Sequence, residues 1–141
     1  MTIDLPPMYE TENCLNASYY SFQNGKVSKN DKSLVLIDKS IRDEIATRIF
    51  VFKSKEGKII ISFEGTGVEN ELYDKNANRM NEITKMGLIP PSYRYALSFT
   101  KDYVQKNKLD KNNVLLTGFS AGSGQAEYVS YNTNLSGIVF A

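Results

Sequence analysis

The chain has 141 residues, 41% of them hydrophobic, and its 17 basic and 16 acidic side chains give a formal net charge of +1. This length suffices for one domain with a sizeable core, and we expect residues 1–141 to form a single domain. The balanced charge excludes a strongly basic surface, so we expect no nucleic-acid partner.

Targeting signals and disulfides are not expected in this chain. Residues 1–7 lack the basic and apolar regions of an N-terminal signal peptide. No apolar run approaches the ~20 residues needed to span a bilayer. We therefore expect a soluble protein that is either cytoplasmic or exported by a route without such a signal. The single cysteine, Cys14, excludes an internal disulfide and should pack as a small apolar side chain.

One helix is predicted before the first strand. Thr11 can cap a helix over residues 12–23, and Asn24-Gly25 would end it because glycine readily adopts a positive φ. Its buried face is predicted from the apolar residues at helical spacing, which are Leu15, Tyr19 and Phe22.

Three apolar runs predict the first strands of a sheet. They span residues 34–37, 47–52 and 58–63. The last two are joined by a short turn containing Gly57, which favours an antiparallel hairpin. Residues 59–61 are consecutive isoleucines, so this strand should be covered on both faces of the sheet.

The segment between the third strand and the next is harder to interpret. Residues 67–91 are rich in asparagine and charge, which favours a solvated helix and loop. The weak helical spacing in this segment is formed by Leu72, Met80, Ile83 and Met86. Ser92 can cap a further helix that runs to about Lys108. The face of this helix that we interpret as core, rather than as a cofactor site, comprises Ala96, Phe99, Tyr103 and Val104.

The most informative stretch is residues 114–131, which read VLLTGFSAGSGQAEYVSY. Residues 114–117 have strong strand character, and a helical pattern of small residues follows Gly118-Phe119-Ser120-Ala121-Gly122. G-x-S-x-G between a strand and a helix is the pattern of a nucleophile elbow, where the serine lies on a tight, strained turn with its hydroxyl exposed. Gly118 and Gly122 are needed because a Cβ at either position would collide with the adjacent turn or strand. We therefore predict that Ser120 is a catalytic nucleophile.

A second motif precedes this elbow in an order found in a known family. Residues 58–66 read KIIISFEGT and are followed by a long connection, a helix and the strand-G-x-S-x-G-helix unit. With these motifs, residues 12–141 resemble the N-terminal part of class 3 lipase-like α/β-hydrolases. The resemblance implies a mixed, mainly parallel sheet flanked by helices, with a mobile covering segment within residues 67–91. The chain departs from the family pattern with Glu64 in place of arginine, Phe119 in place of histidine and Ala121 in place of leucine.

The base that would activate Ser120 is missing from this sequence. A serine needs an adjacent base, and α/β-hydrolases use a histidine held by a carboxylate. The sequence contains no histidine, and Glu127 is the only carboxylate side chain after Ser120. Glu127 lies about two helical turns, or ~10 Å, further along the same predicted helix. The catalytic triad cannot be completed from this chain.

The predicted oxyanion hole does not depend on the missing histidine and acid, because it is formed by backbone N–H groups. One N–H group would come from Ala121, at the positive end of the elbow helix. The resemblance assigns the other N–H group to Thr66. No motif has the spacing of metal ligands, and no metal or cofactor is expected.

The resemblance also bears on the end of the chain. Residues 137–141 are predicted to form the parallel strand after the elbow helix, and the family continues with strands that carry the acid and the histidine. We expect a truncated lipase-like domain whose last strand is an exposed edge, open to self-association. In full-length form the protein should hydrolyse lipid carboxylic esters through an acyl-Ser120 intermediate, with transient contact to a lipid surface. These residues alone should be inactive or nearly so.

Two other interpretations remain open. One is a non-catalytic hydrolase-like module that binds a lipid or a protein. The other is a domain completed by a second polypeptide that supplies the acid and the histidine. Patatin-type hydrolases use serine and aspartate without histidine, but their glycine-rich oxyanion loop and Asp-Gly pair are not visible in this sequence.

Overall fold

The computed structural model describes residues 7–23, 25–27, 32–65 and 70–140. Within these ranges the helices are α1 (Met8–Phe22), α2 (Glu71–Lys85), α3 (Pro91–Lys106) and α4 (Ala121–Thr133). The strands are β1 (Leu34–Arg42), β2 (Thr47–Ser54), β3 (Ile59–Phe63), β4 (Val114–Phe119) and β5 (Ser136–Phe140). Two short 3₁₀ helices lie at Asp43–Ile45 and Lys111–Asn113.

All five strands form one sheet in the order β1-β2-β3-β4-β5. β1 pairs with β2, and β2 with β3, in antiparallel orientation. β3 pairs with β4, and β4 with β5, in parallel orientation. The mixed α/β class and the predicted hairpin are confirmed. The described sheet is evenly mixed rather than mainly parallel, because two antiparallel connections precede the first parallel crossover.

The sheet is covered by helices on both faces. The core beneath α3 and α4 includes Ile49, Val51, Ile61, Leu116, Ala96, Ala126 and Val129. The core beneath α1 includes Cys14, Ala17, Tyr20, Phe50, Phe52 and Ile60. β3 is buried along its whole length, as its run of isoleucines predicted.

α1 begins earlier than predicted and buries a different face. It starts at Met8 without a side-chain cap, so Thr11 lies inside the helix and the predicted cap is wrong. The residues predicted to be buried are exposed, at 50% for Leu15, 57% for Tyr19 and 46% for Phe22. Gly25 has the predicted positive φ, at 75°. Asn24, which was predicted to share this helix stop, lies outside the described residues.

The buried face of α1 consists of small and hydroxyl-bearing side chains. Ser18 Oγ lies 3.0 Å from Thr117 Oγ1 of β4, and Ser21 donates to Ser62 Oγ of β3 at 2.6 Å. These bonds satisfy hydroxyl groups that would be costly to bury alone. The apolar spacing therefore selected the wrong face, since small residues with hydrogen-bond partners on the sheet allow a closer approach.

α2 and α3 connect β3 to β4 outside the sheet. α2 is capped by the Asn70 side chain and buries only Tyr73, Asn76 and Ala77. Leu72 and Met86, which were predicted to contribute to its apolar spacing, are exposed. No helix in the described part of the chain is both long enough and apolar enough to cross a membrane.

α3 begins at Pro91 rather than behind a Ser92 cap, because proline suits the first position of a helix. Its predicted core face is confirmed at Ala96, which is fully buried. The other predicted core residues pack against the core but are only half-buried, and they are Phe99, Tyr103 and Val104.

Candidate functional site

Ser120 lies on the turn between β4 and α4, at the carboxyl end of the parallel strands. Its backbone angles are φ 53° and ψ −119°, which are strained for a residue with a Cβ. The side chain is exposed, and the N–H group donates to the carbonyl of Phe140 in β5 at 2.9 Å. Ser120 therefore has the strained backbone conformation and the exposure that G-x-S-x-G predicted.

The two glycines of the motif are required by close backbone contacts. A Cβ on Gly118 would collide with the carbonyl group of Gly122 and would lie 2.8 Å from the Ser123 nitrogen. A Cβ on Gly122 would collide with the carbonyl group of Phe63 at the end of β3. The elbow (residues 118–122) can be this tight, and this close to β3, only because both positions lack a side chain.

The segment after β3 lies directly beside the elbow. β3 and β4 are parallel neighbours with Phe63 opposite Gly118, so both strands end at the same edge of the sheet. A Cβ on Gly65 would collide with the Phe119 carbonyl oxygen and would lie 3.6 Å from the Ala121 nitrogen. Thr66, the predicted second oxyanion donor, lies outside the described residues, so its convergence with Ala121 stays a prediction.

Ala121 is the first residue of α4, where backbone N–H groups have no acceptor within the helix. The positive end of the α4 dipole coincides with these groups, so negative charge is favoured beside Ser120. Within the described residues, no carboxylate or other base is hydrogen-bonded to the Ser120 hydroxyl. Glu127 is exposed on α4. Among the described residues, the arrangement therefore places an exposed serine hydroxyl beside an electrophilic helix end, with no base next to it.

A buried charged cluster lies next to this edge, centred on Glu64. The Glu64 side chain is 0% exposed, and its Oε2 lies 3.7 Å from Arg48 Nε. Neither carboxylate oxygen has a hydrogen-bond partner among the described residues. Arg48 is instead held by Asp43, which accepts bonds from Nε at 2.7 Å and Nη2 at 3.0 Å. Burial raises the pKa of Glu64 to about 8, against the opposing effect of Arg48.

Tyr73 connects this cluster to α2. Its hydroxyl donates to the carbonyl oxygens of Glu64, at 3.2 Å, and Gly65, at 3.0 Å. Its ring centroid lies 5.2 Å from the guanidinium carbon of Arg48. α2 is thereby attached to the segment that runs past the elbow.

In the sequence Glu64 stands out only as a departure from a family pattern, and no motif marks Arg48 or Tyr73. A usable signal is present, because Arg48 lies within one predicted strand of the hairpin and Glu64 directly follows the other. In the hairpin their backbones are paired, since the Glu64 N–H group donates to the Arg48 carbonyl at 3.0 Å.

A small cavity of about 30 Å³ lies beside Ala121, between α2, α3 and α4. Gln125, which is 5% exposed, lines this cavity, and its Oε1 has no hydrogen-bond partner among the described residues. The space suffices for one group the size of a water molecule. Phe119, which precedes Ser120 in the elbow, is 45% exposed.

Comparison with known proteins leaves the family open. A scan against models of protein families finds no match, and a search of curated proteins finds none with significant similarity. The described residues contain no group of three or more histidine, cysteine or carboxylate side chains placed to hold a metal ion.

Proposed function

We propose that Ser120 is the nucleophile of a carboxylic-ester hydrolase of the class 3 lipase type, acting on lipid esters. The observation that carries this proposal is the strained backbone of Ser120, with φ 53° and ψ −119°, on an exposed turn between a parallel strand and a helix. Strain at a non-glycine residue persists only where the surrounding structure enforces it, and it is concentrated at functional sites. Here the absence of side chains at Gly118 and Gly122 permits the close backbone packing that holds Ser120 in this conformation.

The reaction follows from what lies around the hydroxyl. Ser120 Oγ attacks the ester carbonyl carbon, and the charge that develops on the carbonyl oxygen is stabilised by the Ala121 N–H group at the start of α4. The ester C–O bond then breaks, and the alcohol leaves with the proton that a base has taken from Ser120. Water attacks the acyl-serine, releasing the carboxylic acid and restoring the hydroxyl. Thr66 is the proposed second donor to the oxyanion.

The base in this scheme must come from outside these 141 residues, because they contain no histidine. Further sequence of the same protein, or a second polypeptide, would supply the histidine and its carboxylate partner. The same absence favours a second candidate function, in which the site binds a lipid or a protein without any reaction.

Imidazole added as an external base tests the proposal on the 141-residue chain. Imidazole would be added at neutral pH with p-nitrophenyl butyrate, and covalent butyrylation would be mapped by tandem mass spectrometry. We expect imidazole-dependent acylation of Ser120, which the Ser120→Ala variant loses. Ser98→Ala, at an exposed serine on α3, is the matched control and should behave as wild type.

Two results would contradict the proposal. Acylation spread evenly over exposed serines, or unchanged in Ser120→Ala, would show that the elbow does not activate its serine. Saturable binding of butyrate or of the ester without any acylation, with imidazole present, would favour the non-catalytic binding module.

A further inference from the structure

A second candidate site lies between β1 and α3 and shares no residue with the elbow. It is a groove of about 420 Å³, within the size range of small-molecule sites. Its walls include Asp38 of β1 and, from α3, Tyr95, Phe99, Asp102 and Tyr103. The aromatic residues of α3 were interpreted as core from the sequence, yet they are only half-buried.

The groove exists because α3 does not cover β1. α3 packs Ala96 into the core with Ile49 and Val51 of β2, the strand next to β1. β1 is also irregular, since its register with β2 shifts between Leu36 and Asp38. The hydroxyls of Ser40 and Tyr95 lie 2.5 Å apart and bridge the two walls.

One wall of the groove is a row of aromatic rings. The centroids of Tyr95 and Phe99 are 6.5 Å apart, and those of Phe99 and Tyr103 are 5.9 Å apart with an interplanar angle of 18°. The guanidinium carbon of Arg42 lies 4.9 Å from the Tyr95 ring centroid. Tyr95, at one end of this row, therefore already makes a cation–π contact with a side chain that does not itself line the groove, and Phe99 and Tyr103 continue the same type of ring surface into it.

The charged groups of the groove favour a cation over an anion. Asp38 and Asp102 form no ion pair with another described residue. Lys106 is the basic residue of the lining, and Arg42 on the Tyr95 ring is paired with Glu44 at 2.6 Å. Burial, and then the charge of Asp38, raise the pKa of Tyr103, so Asp38 acts on that ring hydroxyl. A carboxylate beside a half-buried aromatic row is attractive to a cation with an apolar stem, and unattractive to a fatty acid or a phosphate.

We propose that this groove binds a small organic cation, with a guanidinium or alkylammonium head attracted by Asp38 and Asp102 and an alkyl stem against Phe99 and Tyr103. The head gains ion-pair and cation–π attraction, and the stem gains contact with the partly exposed surface of the rings. The site does not depend on Ser120 being a nucleophile.

Calorimetric titration with pentylguanidinium, and with its neutral isostere pentylurea, tests the proposal on the full chain. We expect saturable binding of pentylguanidinium that is at least about tenfold tighter than that of pentylurea, since an ion pair and a cation–π contact each contribute about 1 kcal/mol. Asp38→Asn and Asp102→Asn should each weaken binding about threefold to fivefold. Added salt should weaken wild-type binding.

Glu12→Gln, at an exposed carboxylate on α1, is the matched control and should bind as wild type. The asparagine substitutions lie at exposed positions, so they test the site without disturbing the core. Equal binding of the cation and the urea, wild-type binding by both asparagine variants, or no saturable binding in the millimolar range would overturn the proposal. Much tighter binding of a Gly-Arg-Gly peptide would assign the groove to a protein partner instead and would also overturn it.

Discussion

Glu64 should make the stability of this protein fall as pH rises, and Glu64→Gln should remove that dependence. Burial raises the pKa of Glu64 from an ordinary value of 4.5 to about 8, so the folded chain retains a proton that the unfolded chain loses. The stabilisation is complete below pH 4.5 and is lost as pH rises to about 8. At about 1.36 kcal/mol for each pH unit, the loss is roughly 4 to 5 kcal/mol.

The groups around Glu64 decide the direction of this effect. Arg48 faces it from β2, Asp43 from the 3₁₀ helix and Tyr73 from α2. Asp43 accepts hydrogen bonds from two nitrogens of Arg48, at 2.7 and 3.0 Å, whereas Glu64 Oε2 lies 3.7 Å from Arg48 Nε. Neither carboxylate oxygen of Glu64 has a hydrogen-bond partner among the described residues. The charge of Arg48 is therefore largely balanced by Asp43, and ionisation of Glu64 would add an uncompensated buried charge.

Urea denaturation followed by circular dichroism at pH 5, 7 and 9 measures the effect. Wild type should lose stability across this range, whereas Glu64→Gln should change much less and be the more stable protein at pH 9. Glu82→Gln, at an exposed carboxylate on α2, is the matched control and should follow wild type. If Arg48 keeps Glu64 ionised, the glutamine variant should instead be destabilised by about 3 to 5 kcal/mol at pH 7, and the reasoning is refuted.

Three further predictions concern activity, the elbow and association. The chain alone should hydrolyse p-nitrophenyl esters no faster than its Ser120→Ala variant, and a turnover number of about 1 per second or more would reveal a base that we have not identified. Gly122→Ala should cost about 3 kcal/mol in thermal unfolding, because its Cβ would collide with the Phe63 carbonyl group. The Cβ of Gly57→Ala meets no neighbouring atom, so this control should cost only about 1 to 2 kcal/mol, from its φ of 85°. β5 lies at an edge of the described sheet, and Val139 is 39% exposed. Light scattering should therefore detect concentration-dependent association that Val139→Lys reduces. A monodisperse monomer at all concentrations would count against the edge as an association site.

The sequence alone determined the elements whose causes are local. G-x-S-x-G predicted a strained serine between a strand and a helix, since only glycine permits the backbone contacts that the turn at Ser120 requires. The apolar runs and the turn at Gly57 predicted the antiparallel hairpin, and the run at residues 59–61 predicted a strand covered on both faces. Such signals depend on residues that are close in the sequence, so they can be identified without knowledge of the tertiary structure.

The buried face of α1 depended on residues far away in the chain. Its apolar stripe at Leu15, Tyr19 and Phe22 predicted burial, yet the helix buries Ser18 and Ser21 instead. Their hydroxyls contact strands that are 99 and 41 positions further along. A buried serine is favourable only when its partner is in place, and that partner becomes known only once the strands are assembled.

The charge state of the cluster beside the elbow was decided by tertiary structure in the same way. Glu64 and Arg48 are visible in the sequence, but the groups that surround them are not. In the fold, Asp43 takes the better hydrogen bonds to Arg48, and Tyr73 covers the cluster from α2. Whether a carboxyl group keeps its proton depends on the solvent and the charges around it, and here those come from three separate elements.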